Sequence, residues 1–355
     1  MRTWPVAIAA VMLAACSSGD DGAANSTGST STGSTSPGSA SPTLIPSTTA
    51  PATDSPSTTE VPARRSPELV AAPGPCTPSI AASSTDHVLE RAEGRRDFVV
   101  HRPDTSDGGR LPLVVDLHGT TGTPAIQEAI SRFGARGIET GAWVTMTPLA
   151  LGAMTAWAVP GAIPGDDIGF IEDAIVAIVE TACIDPERIF ATGISSGAAM
   201  SAYLGCASSL FAGVAPVAGV NLVRGCEDSP AVSLVAFHGT LDQYVPIEGL
   251  DGWDTDAFDD ERKFFRGDLI GIVESWARRD GCASEVTITS MGPETERHEW
   301  IDCVDGTKVV LYLSDGAGHT HPGAPFSSDA TSSVGAVAQD IDATDLIARE
   351  FGLIT

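Results

Sequence analysis

Residues Gly193-Ile194-Ser195-Ser196-Gly197 form a G-x-S-x-G pentapeptide between the apolar run Arg188-Ile189-Phe190-Ala191-Thr192 and the helix-forming stretch Ala198 to Tyr203. A serine hydroxyl is a poor nucleophile at neutral pH unless its geometry and neighbours activate it. The pentapeptide supplies geometry: glycines at 193 and 197 lack a Cβ, so the chain can turn sharply from strand to helix and lift the Ser195 hydroxyl above the sheet. The first amide of the following helix, on Ser196, then points where an oxyanion would develop. The chemistry that this arrangement suits is acyl transfer.

Ser195 needs a base within hydrogen-bond reach and an acid to orient that base. In chains with such a turn the partners follow the nucleophile, acid first and histidine last. His298, His319 and His321 follow at a distance that leaves room for an acid-bearing strand. His298 sits in the alternating run Arg297-His298-Glu299-Trp300-Ile301 and decorates a strand. His319 lies in Asp315-Gly316-Ala317-Gly318-His319, a glycine-rich loop after an apolar strand, and is the expected base. The acid is expected at the end of the preceding strand, where Ser233 to Phe237 leads through His238-Gly239-Thr240-Leu241 to Asp242. Asp251, Asp254 and Asp256 are alternatives farther from the strand end.

A second oxyanion donor is expected from the loop His118-Gly119-Thr120-Thr121-Gly122. Small residues there let a backbone amide, of Thr120 or Thr121, approach the acyl oxygen beside Ser196. His118 is read as a buried brace for this loop, because the loop must supply an amide and not a side-chain base.

These residues need a scaffold that gathers strand ends. Short apolar runs alternate with helical patterns, the signature of a mainly parallel sheet with helices on both faces, an α/β fold. Expected strands are 98–102, 113–117, 143–147, 189–193, 213–217, 234–237 and 309–313. Ile168, Ile171, Ile175, Ile178 and Val179 recur at helical spacing and predict a helix packed on the sheet. Leu269 to Arg279 and Val334 to Phe351 predict two later helices. Asp251 to Arg266 has no clear period and reads as an insertion.

The ends and the composition bound the setting. Arg2, the apolar stretch Val6 to Ala15 and Leu13-Ala14-Ala15-Cys16 resemble the signal and lipobox of bacterial lipoproteins, with Cys16 the lipid-modified residue. The expected organisation is a signal at 1–16, a Ser/Thr/Pro/Gly-rich tether at 17–72 too poor in large apolar residues to fold, and a catalytic domain at 73–355. Seven cysteines less Cys16 leave six, an even number that favours disulfides in an oxidising compartment. Cys282 and Cys303 are the first pair expected; for Cys76, Cys183, Cys206 and Cys226 one arrangement is Cys76 with Cys183 and Cys206 with Cys226. No C-x-x-C spacing speaks for zinc. The formal net charge of −26 argues against nucleic acid and an anionic membrane surface as partners, since both would repel the domain.

Together the motifs resemble the secreted esterase family that groups extracellular polyhydroxybutyrate depolymerases, feruloyl esterases and acetylxylan esterases. The pieces that carry the resemblance are Pro112 to Gly119, Asp166 to Ile171, Ile184 to Gly193 running into the pentapeptide, Val214 to Gly219, Phe237-His238-Gly239-Thr240 with Asp242 and Val245-Pro246, and Gly318-His319-Thr320-His321-Pro322-Gly323. The resemblance implies an α/β-hydrolase fold, ester hydrolysis through an acyl-enzyme, no metal or other cofactor, and the triad Ser195, Asp242 and His319. Two positions depart from the family pattern: His321 stands where Trp is usual, and Ala198 where a second Gly is usual.

The expectation is therefore an extracytoplasmic serine ester hydrolase, held to the bacterial membrane only through a lipid on Cys16 or released from the cell. Its partner would be a small or polymeric ester, a polyester or a feruloyl or acetyl ester of polysaccharide. No protein partner is implied. An amidase or peptidase of the same fold, and a surface-displayed binding module without catalysis, remain the alternatives.

Overall fold

Apolar residues on both sides of successive strands require cover on both faces, and the chain meets that requirement with ten strands and seven helices among the described residues. The computed structural model describes residues 66–69, 81–104, 108–159, 165–223, 229–249, 267–325 and 328–355. Cys16 and the expected signal, nearly all of the expected tether, Cys76, Cys226 and the stretch Asp251 to Arg266 lie outside them.

The strands are β1 (Ser83–Arg91), β2 (Gly94–Arg102), β3 (Leu111–Leu117), β4 (Val144–Pro148), β5 (Ile184–Ile194), β6 (Gly213–Val217), β7 (Ser233–Gly239), β8 (Val286–Ser290), β9 (Thr295–Trp300) and β10 (Val309–Ser314). They form one sheet in the order β1-β2-β4-β3-β5-β6-β7-β10-β9-β8. From β4 to β10 neighbours run parallel, while the pairs involving β1, β2, β8 or β9 are antiparallel. The helices are α1 (Pro124–Ser131), α2 (Phe133–Thr140), α3 (Asp167–Ile178), α4 (Ser196–Ala207), α5 (Leu269–Arg279), α6 (Ser328–Val334) and α7 (Ala343–Glu350).

Side chains alternate between two cores, as the period of a strand demands. Leu113, Val115 and Leu117 of β3 join Phe170, Ile171 and Ile175 of α3, Met200 of α4 and Trp276 of α5 on one face. Val114 of β3 joins Phe133 of α2 and Ile347 of α7 on the other. Full burial of a side chain as large as Trp276 removes enough apolar area to stabilise the fold by roughly 3 kcal/mol or more. Every strand expected from the sequence is present within a few residues of its expected ends. In β5, Asp185 and Pro186 are absorbed in an irregularity where the register with β3 shifts between Leu111 and Leu113.

Three features differ from expectation. The helix expected over Val334 to Phe351 is confined to α7, since α6 ends at Val334 and 335–342 are not helical: Gly335 has φ +93°, and Val334 and Ala336 give their carbonyls to the amides of His319 and Gly318 at 2.7 and 2.9 Å, so these carbonyls serve another loop and not a helical ladder. Asp342 then caps α7 by accepting from the Asp345 amide. The edge strands β1 and β8 escape the apolar pattern because β8 is exposed throughout and β1 mostly so. Finally, the chain already touches the domain before residue 73: Ser66 accepts from the Ser209 amide at 3.0 Å and Leu69 packs on the first core.

A disulfide joins Cys282 to Cys303, as expected. Cys183 and Cys206 are disulfide-bonded as well. No helix among the described residues is long and apolar enough to cross a membrane.

Candidate active site

The parallel strands β3, β5, β6, β7 and β10 end on one edge of the sheet, and the residues singled out by the sequence follow those ends. At the end of β5, Ser195 adopts φ 58° and ψ −119°, a conformation that costs a non-glycine residue about 1–3 kcal/mol. Two devices hold it there. Its amide donates to the Val217 carbonyl at 3.1 Å, and α4 begins at Ser196 directly beyond it. The flanking glycines are needed for contact with β3: a Cβ on Gly193 would lie 2.5 Å from the Leu117 carbonyl oxygen, and one on Gly197 would collide with the same atom. The turn is thus pressed against the strand that leads into the second donor loop.

In that loop the two threonines differ. The Thr121 amide donates to the Met154 carbonyl at 2.7 Å and is therefore spent, which removes it as an oxyanion donor. The Thr120 amide has no hydrogen-bond acceptor among the described residues. Gly119, immediately before it, lies against the elbow; a Cβ there would be 3.4 Å from the Ser195 Cβ. Ser196 is the first residue of α4, where amides lack intrahelical acceptors.

The loop is braced by 149–157, a role that the sequence assigned to His118 alone. His118 is fully buried; its Nδ1–H donates to the Gly119 carbonyl at 2.8 Å and its Nε2 accepts from the Ala150 amide at 3.1 Å. Burial holds its pKa below the ordinary histidine value, so the ring is neutral and can make both bonds. The Trp157 indole donates to the His118 carbonyl at 2.8 Å, and Thr155 donates to the Gly122 carbonyl at 3.0 Å. The Ala158 amide donates to Asp167, which pairs with buried Arg96 at 2.5 Å, so the brace is tied to β2 and α3.

The expected base and acid meet. His319 Nδ1 lies 2.7 Å from Asp242 Oδ2, and since a carboxylate only accepts, Nδ1 carries the proton and Nε2 keeps a free lone pair. Asp242 Oδ1 accepts from the amides of Tyr244 and Val245, both at 2.9 Å. Burial pushes the Asp242 pKa up, but the hydrogen bond and charge of His319, His238 nearby and the Val245 amide outweigh it, and the carboxyl lies below its ordinary value. His319 is fixed on two further sides: its amide donates to the Val334 carbonyl, and its ring meets that of Tyr244 in a T-shaped contact with centroids 5.3 Å apart. Tyr244 in turn donates to the Ser333 carbonyl at 2.9 Å.

Of the other candidates, His298 lies in β9 beside Glu296, on a strand as expected. His321 is buried, with Nδ1 facing the Pro322 carbonyl at 3.2 Å. Asp251, Asp254 and Asp256 lie outside the described residues. Sequence reasoning missed Tyr244, Trp157 and the contacts of His238. Their signals were weak: single aromatic residues in loops, and a histidine read only as part of the path from the strand to Asp242.

No protein-family model matches the chain. In sequence it is 31% identical over 233 residues to feruloyl esterase B of Piromyces equi, covering 63% of this chain and 42% of that protein. It is 28% identical over 163 residues to a probable feruloyl esterase C of Aspergillus terreus, covering 43% of this chain and 57% of that one. A putative esterase of Nocardia uniformis subsp. tsuyamanensis is 26% identical over 287 residues, 75% of this chain and 83% of that protein. The chain thus spans about half the length of the two feruloyl esterases. Among solved structures, acetyl xylan esterase from Aspergillus awamori matches with a TM-score of 0.52 and 14% identity, over 76% of this chain and all of that one. The chain has the α/β-hydrolase fold, and its relatives in sequence are esterases.

Proposed function

We propose that the protein is a serine carboxylic-ester hydrolase that works through Ser195, His319 and Asp242 and an acyl-enzyme. The observation that carries this reading is the 2.7 Å bond between His319 Nδ1 and Asp242 Oδ2, on the same sheet edge as the strained Ser195 turn. Esterase relatives support the reaction class.

In this reading Ser195 Oγ attacks the ester carbonyl carbon as His319 Nε2 takes its proton. Asp242 stabilises the imidazolium that results, and the tetrahedral oxyanion accepts from the amides of Ser196 and Thr120. Collapse breaks the bond to the alcohol oxygen, which receives the proton from His319. Water, activated by the same imidazole, then releases the acid and restores Ser195. No step draws on a metal or cofactor.

The substrates we assign are polyesters or feruloyl and acetyl esters of polysaccharide; relatives named for feruloyl esters support the second group. The setting we assign is outside the cytoplasm, with the domain carried on a tether that ends before Ser66, where the chain first contacts the domain, and held by a lipid on Cys16. The motif at Leu13 to Cys16 and the composition that follows it support this. The test is fluorophosphonate labelling together with hydrolysis of a nitrophenyl acetate, a polyester film, a feruloylated polysaccharide and an acetylated xylan. Labelling at Ser195 that vanishes in Ser195→Ala, with hydrolysis of at least one ester, is expected. A wild-type protein that neither labels nor cleaves any of them would leave the non-catalytic alternative.

A further inference from the structure

His238 lies next to the last residue of β7, four residues before Asp242, and its side chain is wholly buried. Nε2 lies 2.7 Å from the Val245 carbonyl and 3.5 Å from Asp242 Oδ2. A carbonyl only accepts, so Nε2 carries the proton, and the Nδ1 lone pair is left buried without a partner among the described residues. An unpaired buried acceptor costs free energy that a phenylalanine or leucine of similar size would not, so packing alone gives no reason for a histidine here.

The bonds around it close a ring. His238 donates to the Val245 carbonyl; the Val245 amide donates to Asp242 Oδ1; Asp242 Oδ2 sits beside His238 and accepts from His319. The Asp242 amide donates back to the Gly239 carbonyl at 3.2 Å, which folds the turn over the ring. Rotation of the carboxylate away from His319 would require the 242–245 turn to open, and the turn is clipped to β7 through this imidazole.

We infer that His238 is a positioning residue that fixes the orientation of the Asp242 carboxylate toward His319 by clipping the Val245 carbonyl and lying against Oδ2. The inference rests on the proposed ester-hydrolase reading for its kinetic readout, though the structural readout does not. Burial keeps the ring neutral, which suits the role, because a second imidazolium beside Oδ2 would compete with His319 for the carboxylate.

The test compares His238→Phe, which fills the space without a donor, with His238→Gln, whose amide restores one, in the full chain. Four quantities are read: kcat and KM on a nitrophenyl acetate, thermal stability, and the low-field proton resonance of the His319–Asp242 hydrogen bond. His238→Phe is expected to lower kcat about 10- to 100-fold, the range for losing a hydrogen bond that supports a charged group, with KM within about threefold. The resonance shifts or vanishes in that variant, and both kcat and resonance recover in His238→Gln. Folded His238→Phe with unchanged kcat and resonance overturns the inference, as does equal loss in both variants that tracks stability alone. If His238→Phe does not fold, His238→Gln against His238→Asn decides, since the shorter amide does not reach Val245; equal kcat and an equal resonance overturn it. Should wild type cleave no ester and take no label, the functional reading fails, while the resonance comparison still decides the role of His238.

Discussion

The Trp157 indole donates to the His118 carbonyl at 2.8 Å while the two rings lie 5.0 Å apart, so one side chain holds both backbone and ring of the residue that leads into the candidate oxyanion loop. Trp157→Phe keeps the ring and removes the donor, leaving a buried carbonyl unpaired. Turnover should fall about tenfold with little change in KM, because a displaced Thr120 amide weakens binding of the oxyanion more than of the ground state. Steady-state kinetics on a nitrophenyl acetate reads this. A pure KM effect would mean that the 149–157 loop shapes substrate binding and not the oxyanion site.

Ser195, the proposed nucleophile, sits in a strained backbone conformation. Ser195→Gly should abolish hydrolysis yet be more stable than Ser195→Ala by about 1 kcal/mol, reversing the usual order, because only glycine relaxes at φ 58° and ψ −119°. Urea unfolding of the two variants measures the difference. Equal stability would show that the turn stores no backbone strain.

Asp242→Asn keeps the shape but loses the charge and permits the wrong His319 tautomer. The expected loss is on the order of 10⁴ in kcat, the size seen when a serine-protease aspartate is so changed. Near-normal turnover in this variant, with Asp251→Asn or Asp254→Asn inactive, would move the acid into the segment after Pro246.

Acid stability should depend on His321. Burial pushes its pKa from 6.5 down to about 4, so between those values the unfolded chain binds a proton that the folded chain refuses. The contribution to stability is therefore full above 6.5 and is lost as the pH falls through about 4. His118 and His238, also lowered by burial, act in the same direction. Asp116, buried and raised to about 7, acts oppositely: its folded form holds a proton that the unfolded chain releases, so its contribution is lost as pH rises from 3.8 to about 7. His321→Asn should flatten the fall in unfolding free energy between about pH 6.5 and 4.5 by close to one proton's worth. An unchanged slope in urea titrations at both pH values would assign the acid sensitivity elsewhere.

Cys16→Ser should release the protein from the membrane fraction with unaltered specific activity, since the candidate site lies wholly within the folded domain. Continued sedimentation with membranes would exclude anchoring through this residue.

Much of this was legible in the chain itself. The pentapeptide around Ser195, the strand that leads to Asp242 and the glycine-rich loop around His319 are local patterns, and local patterns of apolar period and turn residues also locate the strands from β2 to β7 and β10. The expected Cys282–Cys303 pair is the disulfide that closes around β8 and β9. What the tertiary structure decided is how groups distant in sequence share atoms. Thr120 and Thr121 are equivalent as letters; only the fold brings the Met154 carbonyl to one amide and leaves the other without an acceptor among the described residues. The stretch after Val334 has helical composition, yet the carbonyls of Val334 and Ala336 are claimed by the His319 loop, and helix resumes only at Ala343. Likewise His238 reads as part of a strand end until the turn at 242–245 folds back over it. Periodicity reports which face a residue takes, but hydrogen-bond partners between loops depend on where strands end in space, and that is set by the register of the whole sheet.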